Sequence, residues 1–177
     1  AYYEREKRWW NEGKGYTKAI EIDPNYIEAY RDRAKIGERG YGLGRKVAHE
    51  DYSKIIEINP RDVDAYLSRS ECWGALFEGD ERAEPYFLDD VNKALELDPN
   101  SARAHYLIGG YKWAKEDYLG AITSFNRALK IDPNFYDALY DRATCKKDFK
   151  DFEGAIGDYF KLIQSYSKSS MVPYWEF

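Results

Sequence analysis

Arginine and aspartate recur in step along this chain. Arg33, Arg69 and Arg142 are followed by Asp51, Asp90 and Asp158 after 18, 21 and 16 residues, and Arg5 opens the arginine series. Two chemistries fit such a row. A ladder of guanidiniums, each with five donors and a permanent charge, is suited to bind the phosphates or carboxylates of a ligand. If each arginine instead faces its own carboxylate, the row is used up in internal ion pairs. The second reading is preferred, because a partly buried arginine needs a carboxylate and the chain supplies one in step with it. Arg33–Asp51, Arg69–Asp90 and Arg142–Asp158 are therefore expected as structural ion pairs and are removed from any binding surface.

Other reactive side chains are few. The two histidines, His49 and His105, and the two cysteines, Cys72 and Cys145, make no metal-ligand spacing, and no glycine-rich phosphate loop or nucleophile motif is present. The chain is not expected to be an enzyme or to carry a cofactor or metal. Of its 177 residues 44% are hydrophobic and 33% charged, with mean hydropathy −0.77, enough to bury a core inside a well-solvated exterior. A net charge of −5 argues against a nucleic-acid partner, since phosphate contacts rest on clustered Lys and Arg. No apolar run approaches the roughly 18 residues that would read as a membrane span, so no membrane insertion is expected. The chain opens on Ala rather than Met, as a processed or excised piece would.

The elements that position these residues repeat. "ALKIDPNFYDALYDRA" at 128–143 matches "AIEIDPNYIEAYRDRA" at 19–34, and looser copies lie at 55–70 and 94–109. The turn prolines Pro24, Pro60, Pro99 and Pro133 are spaced by 36, 39 and 34 residues, a period that marks a repeat architecture. Ala121, Ile122, Phe125, Ala128 and Leu129 form one stripe of a 3.6-residue helix. That helix is expected to begin after Asp117, an N-cap residue, and to stop by Pro133. A helix from about Ala102 to Ala114 precedes it, so each repeat is a helical hairpin. Aligned on the prolines, Ala34, Ser70, Gly109 and Ala143 are always small, and Tyr16, Tyr52, Val91, Phe125 and Tyr159 share another column. In the unit where Ile108 takes the arginine's place, Ser124 takes the aspartate's.

This pattern resembles the tetratricopeptide repeat over roughly residues 1–167. The resemblance implies an all-α, right-handed superhelical solenoid of about five hairpins, in units of about 1–26 (truncated), 27–62, 63–101, 102–135 and 136–167, followed by an aromatic tail at 168–177. Extra residues fall near "GYGLG" and "FEGDERAEP", where Pro85 is expected to open a helix. Tyr16 follows Gly15 about seven residues too early for the usual second helix, which is then either short or incomplete. The two cysteines share a column two units apart. They are expected to be buried free thiols, too distant for a disulfide and compatible with a reducing, cytoplasmic compartment. His105 falls where an aromatic ring normally packs and is expected in the core.

By the same resemblance the concave wall is lined by first-helix positions. These are Tyr3, Lys7 and Trp10; Arg31 and Lys35; Arg103, Tyr106 and Trp113; and Tyr140 and Lys147, with acidic Glu28, Asp64, Asp137 and Asp141 on the same side. Some of these rings are alternatively expected to pack on the next unit. The family's clamp for chaperone tails is built from Lys, Asn and Arg at set positions, and this chain does not supply the asparagines there. The expected function is a non-enzymatic scaffold that binds a peptide or partner protein in the groove. The alternatives are a structural subunit of a homo-oligomer or larger assembly, or a targeting domain cut from a larger protein. The tail, with Met171, Val172, Tyr174, Trp175 and Phe177, is too apolar to remain in water. It is expected to cover the last repeat or to self-associate with a neighbour's groove.

Overall fold

The computed structural model describes residues 13–39, 43–76 and 84–169. The last helical residues before the four turn prolines are Ile22, Ile58, Leu97 and Ile131, each two positions ahead of its proline. Proline disfavours helical backbone in the residue before it and brings no N–H to the ladder, which explains the common stop. At three turns the intervening Asp23, Asn59 or Asp132 accepts the N–H two residues on, at 3.0, 3.3 and 2.9 Å, closing the turn locally.

The chain divides into two compact units, Ala1–Pro99 and Asn100–Phe177. The first contains α1, described over 13–22, then α2 (Ile27–Glu38), α3 (Leu43–Ile58), α4 (Val63–Leu76) and α5 (Glu84–Leu97). The second contains α6 (Ala102–Ala114), α7 (Tyr118–Ile131), α8 (Tyr136–Asp148) and α9 (Phe152–Ser169). From α2 to α5, and again from α6 to α9, each helix packs on the next. No strand occurs among the described residues, and no described helix is long and apolar enough to cross a membrane. Pro85 stands in the first turn of α5, where its missing N–H has no helical partner to lose. Helix α1 already spans Gly13, the first described residue, and Gly15. Helix α9 continues to Ser169, two residues past the end expected from the repeat.

The two hairpins of the second unit are closed by the same turn. Glu116 and Lys150 adopt left-handed backbone, φ 61° and 66°, and Asp117 and Asp151 then accept the Gly120 and Gly154 N–H at 3.0 and 2.9 Å. Each aspartate is the N-cap that starts the following helix.

Inside the hairpins a small residue on the first helix meets a large one on the second. Ala34, Ser70 and Ala143 are fully buried, and so is Phe125, opposite Gly109. In the first unit Tyr30, Ala34, Ala48, Tyr52, Ile55, Ala65 and Cys72 form one core cluster. A Cβ added at Gly109 would lie 2.6 Å from the Phe125 ring, whereas one at Gly110 would meet nothing within 4 Å. Two adjacent glycines should therefore respond oppositely to alanine. Gly109→Ala is expected to lose about 1–3 kcal/mol through overpacking, and Gly110→Ala to gain up to about 1 kcal/mol of helix propensity. Urea denaturation of both variants checks the contrast.

Candidate functional site

The arginine column makes a fork. Arg33 donates through Nε and Nη2 to Asp51 Oδ2 and Oδ1 at 2.9 and 2.6 Å. Arg69 reaches Asp90 at 2.9 and 2.6 Å, and Arg142 reaches Asp158 at 2.8 and 2.6 Å. The carboxylates keep only 3, 6 and 4% of their side-chain exposure. The third arginine nitrogen, Nη1, turns back to the helix of the preceding hairpin. It donates to Thr17 Oγ1 at 3.1 Å, Ser53 Oγ at 3.3 Å and Asn126 Oδ1 at 2.5 Å. One side chain thus joins the two helices of its own hairpin and the hairpin before it. Where Ile108 replaces the arginine, Ser124 bonds the Gly120 carbonyl of its own helix instead.

The ionisation of these aspartates follows from their partners. Burial pushes Asp51 above the usual carboxylate range, and Arg33 offsets this only in part. Burial acts on Asp158 in the same direction, but Arg142 and Lys146 together hold it below that range. Lys146 Nζ donates to Asp158 Oδ2 at 2.8 Å, a contact the repeat register does not reveal.

Tyr3, Lys7, Trp10 and Arg5 lie outside the described residues. In the first unit Arg31 donates to Asp62 Oδ2 at 2.5 Å, and Asp62 itself accepts the Ala65 N–H at the start of α4. This cation is held by a structural partner, unlike Lys35, whose side chain is 57% exposed with Asp32 at 3.8 Å. In the second unit Tyr106 donates to Asp141 Oδ2 at 2.8 Å and Trp113 Nε1 to Asp148 Oδ2 at 3.0 Å. Both bonds run from α6 to α8 and span 35 residues, one repeat plus one. That shared offset was available in the sequence as a signal. The Tyr106 ring also lies 4.9 Å from Phe135 and 6.0 Å from Phe125. Burial raises Asp141 above the usual range, against the hydrogen bond from Tyr106. Tyr140 remains 56% exposed, edge-on to Tyr159 of α9 at 6.0 Å. Lys147 keeps 54% of its side chain exposed, with Asp148 at 3.9 Å. Arg103 is half-buried on α6.

The remaining reactive groups are quiet. Cys72 and Cys145 are buried free thiols, and burial pushes Cys145 up to about 11, leaving little thiolate at neutral pH. His105 is half-buried on α6 rather than enclosed in a core. His49 is half-buried on α3, where burial and then Arg69 lower its pKa. A cavity of about 200 Å³ in the first unit is lined by Glu38, Arg45, Glu71 and Cys72. Glu38 Oε1 also accepts a hydrogen bond of 2.6 Å from the buried Tyr52. Among the described residues no group of three or more His, Cys, Asp or Glu is placed to hold a metal ion.

Helical hairpins packed in series and joined by an internal arginine define an all-α repeat protein. Residues 88–134 and 111–170 match the family described as tetratricopeptide repeat. Many solved structures share the fold, three of them as follows. The crystal structure of MamA aligns at TM-score 0.69 and 19% identity, over 93% of this chain and 92% of that one. TTC0263, a thermophilic tetratricopeptide-repeat protein of Thermus thermophilus, aligns at 0.73 and 21%, over 89% and 83%. YrrB, described as a tetratricopeptide-repeat protein with an unusual peptide-binding site, aligns at 0.60 and 21%, over 89% and 78%. No curated protein matches the chain by sequence. Over residues 88–170 the chain belongs to the tetratricopeptide-repeat family.

Removing one partner of a fork strands the other. Asp51→Leu should lose about 3 kcal/mol because Arg33 is left without its carboxylate, and the double variant Arg33→Met/Asp51→Leu should recover most of it. Chemical denaturation of the single and double variants measures this. A second expectation concerns acid. Asp158 has a folded value below its ordinary 3.8, so its contribution to stability is present above pH 3.8 and is lost as pH falls through the folded value. Lys146→Met should raise the Asp158 pKa and move the acid-unfolding midpoint to higher pH, read by circular dichroism and carboxyl NMR titration.

Proposed function

We propose that the chain is a non-enzymatic protein-interaction scaffold whose first-helix face in the second unit, on α6 and α8, accepts an extended or helical peptide. One observation carries this reading. Tyr106 and Trp113 are already fixed by hydrogen bonds to Asp141 and Asp148, so α6 and α8 meet as a pre-ordered platform, and Tyr140 and Lys147 of α8 keep 56% and 54% exposure. Rigid aromatic surface beside an exposed ammonium offers contact area at little entropic cost. A peptide with apolar side chains against Tyr140 and an acidic group near Lys147 suits that chemistry. The carboxylates of Asp137, Asp141 and Asp148 disfavour a strongly acidic ligand there. The fold shared with YrrB, described as having a peptide-binding site, agrees with this use.

Peptides selected from a displayed library against the native chain provide the test. Tyr140→Ala/Lys147→Glu is expected to weaken them at least about tenfold while shifting stability by no more than about 1 kcal/mol, because both side chains are exposed. Undiminished binding to that variant would place the peptide site elsewhere.

A further inference from the structure

Helix α9 presents a run of apolar side chains to water. Phe152, Ile156, Phe160 and Ile163 are 60, 68, 60 and 65% exposed, and their spacing puts them in one stripe along the helix. One repeat earlier, 34 residues back, the same positions are Tyr118, Ile122, Asn126 and Leu129. There the following hairpin covers most of the stripe. Tyr118 and Ile122 pack on the cluster that includes Cys145 of α8, and Leu129 is half-buried. A further arginine-bearing hairpin does not suit α9 in the same way. Thr17, Ser53 and Asn126 each accept a hydrogen bond from the arginine of the following hairpin, and the equivalent position on α9 is Phe160. A guanidinium brought there would lose its acceptor.

The exposed face of α9 matches itself in reverse. A second α9 laid antiparallel across the first, with the two-fold axis between residues 157 and 158, brings Phe152 level with Ile163, Ile156 with Phe160 and Glu153 with Lys161. In each pair the distances from the axis differ by no more than one residue, about 1.5 Å along the helix. The apolar pairs meet in the middle. Glu153, Gly157 and Lys161 follow one another at four-residue spacing, so they form a line along one flank of the stripe, and all three are exposed. Lys161 keeps 67% of its side chain exposed, with Asp158 of its own helix at 4.0 Å. A two-fold axis across an antiparallel pair sets this flank against its own copy, so each Glu153 faces a Lys161. Gly157 stands at the crossing. A Cβ added there would meet nothing within 4 Å, so no packing among the described residues explains a residue that weakens a helix interior. Its missing side chain leaves room for a second backbone. The area is also of the right size. Four side chains at these exposures present roughly 450 Å² of apolar surface per copy, and a stable interface buries about 800 Å² per partner, somewhat over half of it apolar.

We propose that two copies of this chain associate through α9 in an antiparallel, two-fold contact, with Phe152 against Ile163 and Ile156 against Phe160 of the second copy, and Glu153–Lys161 ion pairs along one flank. The contact does not rest on the peptide-binding reading of α6 and α8. The aromatic tail expected to cover the last repeat lies, from residue 170 onward, outside the described residues, and α9 alone sets this register.

Sedimentation equilibrium on the full chain, between about 1 and 200 μM, should show a monomer–dimer equilibrium. Phe160→Asp should raise the Kd of the dimer at least about thirtyfold while helix content stays constant, because it puts a carboxylate at the centre of the contact. Phe160→Asn, which installs the residue of α7, should act in the same direction and serves if aspartate disturbs the helix. The flank tests the register. Glu153→Lys and Lys161→Glu each set like charges opposite one another twice, and each should raise Kd at least about fivefold at low salt. An equimolar mixture of these two variants should recover the dimer as a heterodimer, since every facing pair is then of opposite charge. A monomer at every concentration would overturn the proposal, whether later residues of this chain or another protein then cover the stripe. So would a dimer that survives both Phe160 substitutions, or a mixture of the charge variants that stays monomeric. Species larger than a dimer would also overturn it, because a two-fold contact closes on itself.

Discussion

A guanidinium cannot be buried without acceptors for its donors, and this constraint shapes the whole described structure. Each fork takes two nitrogens onto one carboxylate in a planar, two-bond geometry, which holds the helices of a hairpin at one separation and one rotation. The third nitrogen then needs its own acceptor, and the nearest side chain is on the preceding hairpin, at Thr17, Ser53 or Asn126. Because hairpins in such arrays contact only their neighbours, stability is close to a sum of unit and interface terms. A residue that belongs to both kinds of term ties them together. The guanidiniums of Arg33 and Arg69 each also lie over the ring of a tyrosine on the same helix, Tyr30 and Tyr66, with Cζ 5.8 Å from the centroid.

The same constraint decides what is left for recognition. With Arg33, Arg69 and Arg142 turned inward and Arg31 held by Asp62, much of the chain's positive charge on first helices is internal. Lys35 and Lys147 remain exposed. Tyr106 and Trp113 contribute more as struts between α6 and α8 than as free rings, since each has given its polar hydrogen to an aspartate of the next hairpin. A face built this way is stiff before any partner arrives, and that favours affinity through small entropic loss rather than through many contacts. The unit that lacks the arginine opens the second compact unit, at Asn100. Its Ile108 and Ser124 show that the pair is removed as a pair, because keeping either charge alone would be unfavourable.

Much of this was legible in the amino-acid sequence. Prolines two residues past each apolar stripe set where helices stop, for a reason local to the backbone. Asp117 announced the start of α7, and the joint disappearance of Arg and Asp in one unit pointed to the forks before any distance was known. These features share a physical origin: each depends on the chain's local geometry or on a register repeated several times within one molecule. Other contacts were decided only by tertiary structure. Arg31–Asp62, Lys146–Asp158, Tyr106–Asp141 and Trp113–Asp148 depend on how far one helix is displaced along its neighbour. Periodicity tells which face of its own helix a side chain occupies, but the displacement between helices is set by the fit of buried side chains, such as Phe125 against Gly109. That fit is a property of the packed core, and it determined which candidate groove residues became struts and which stayed open to solvent.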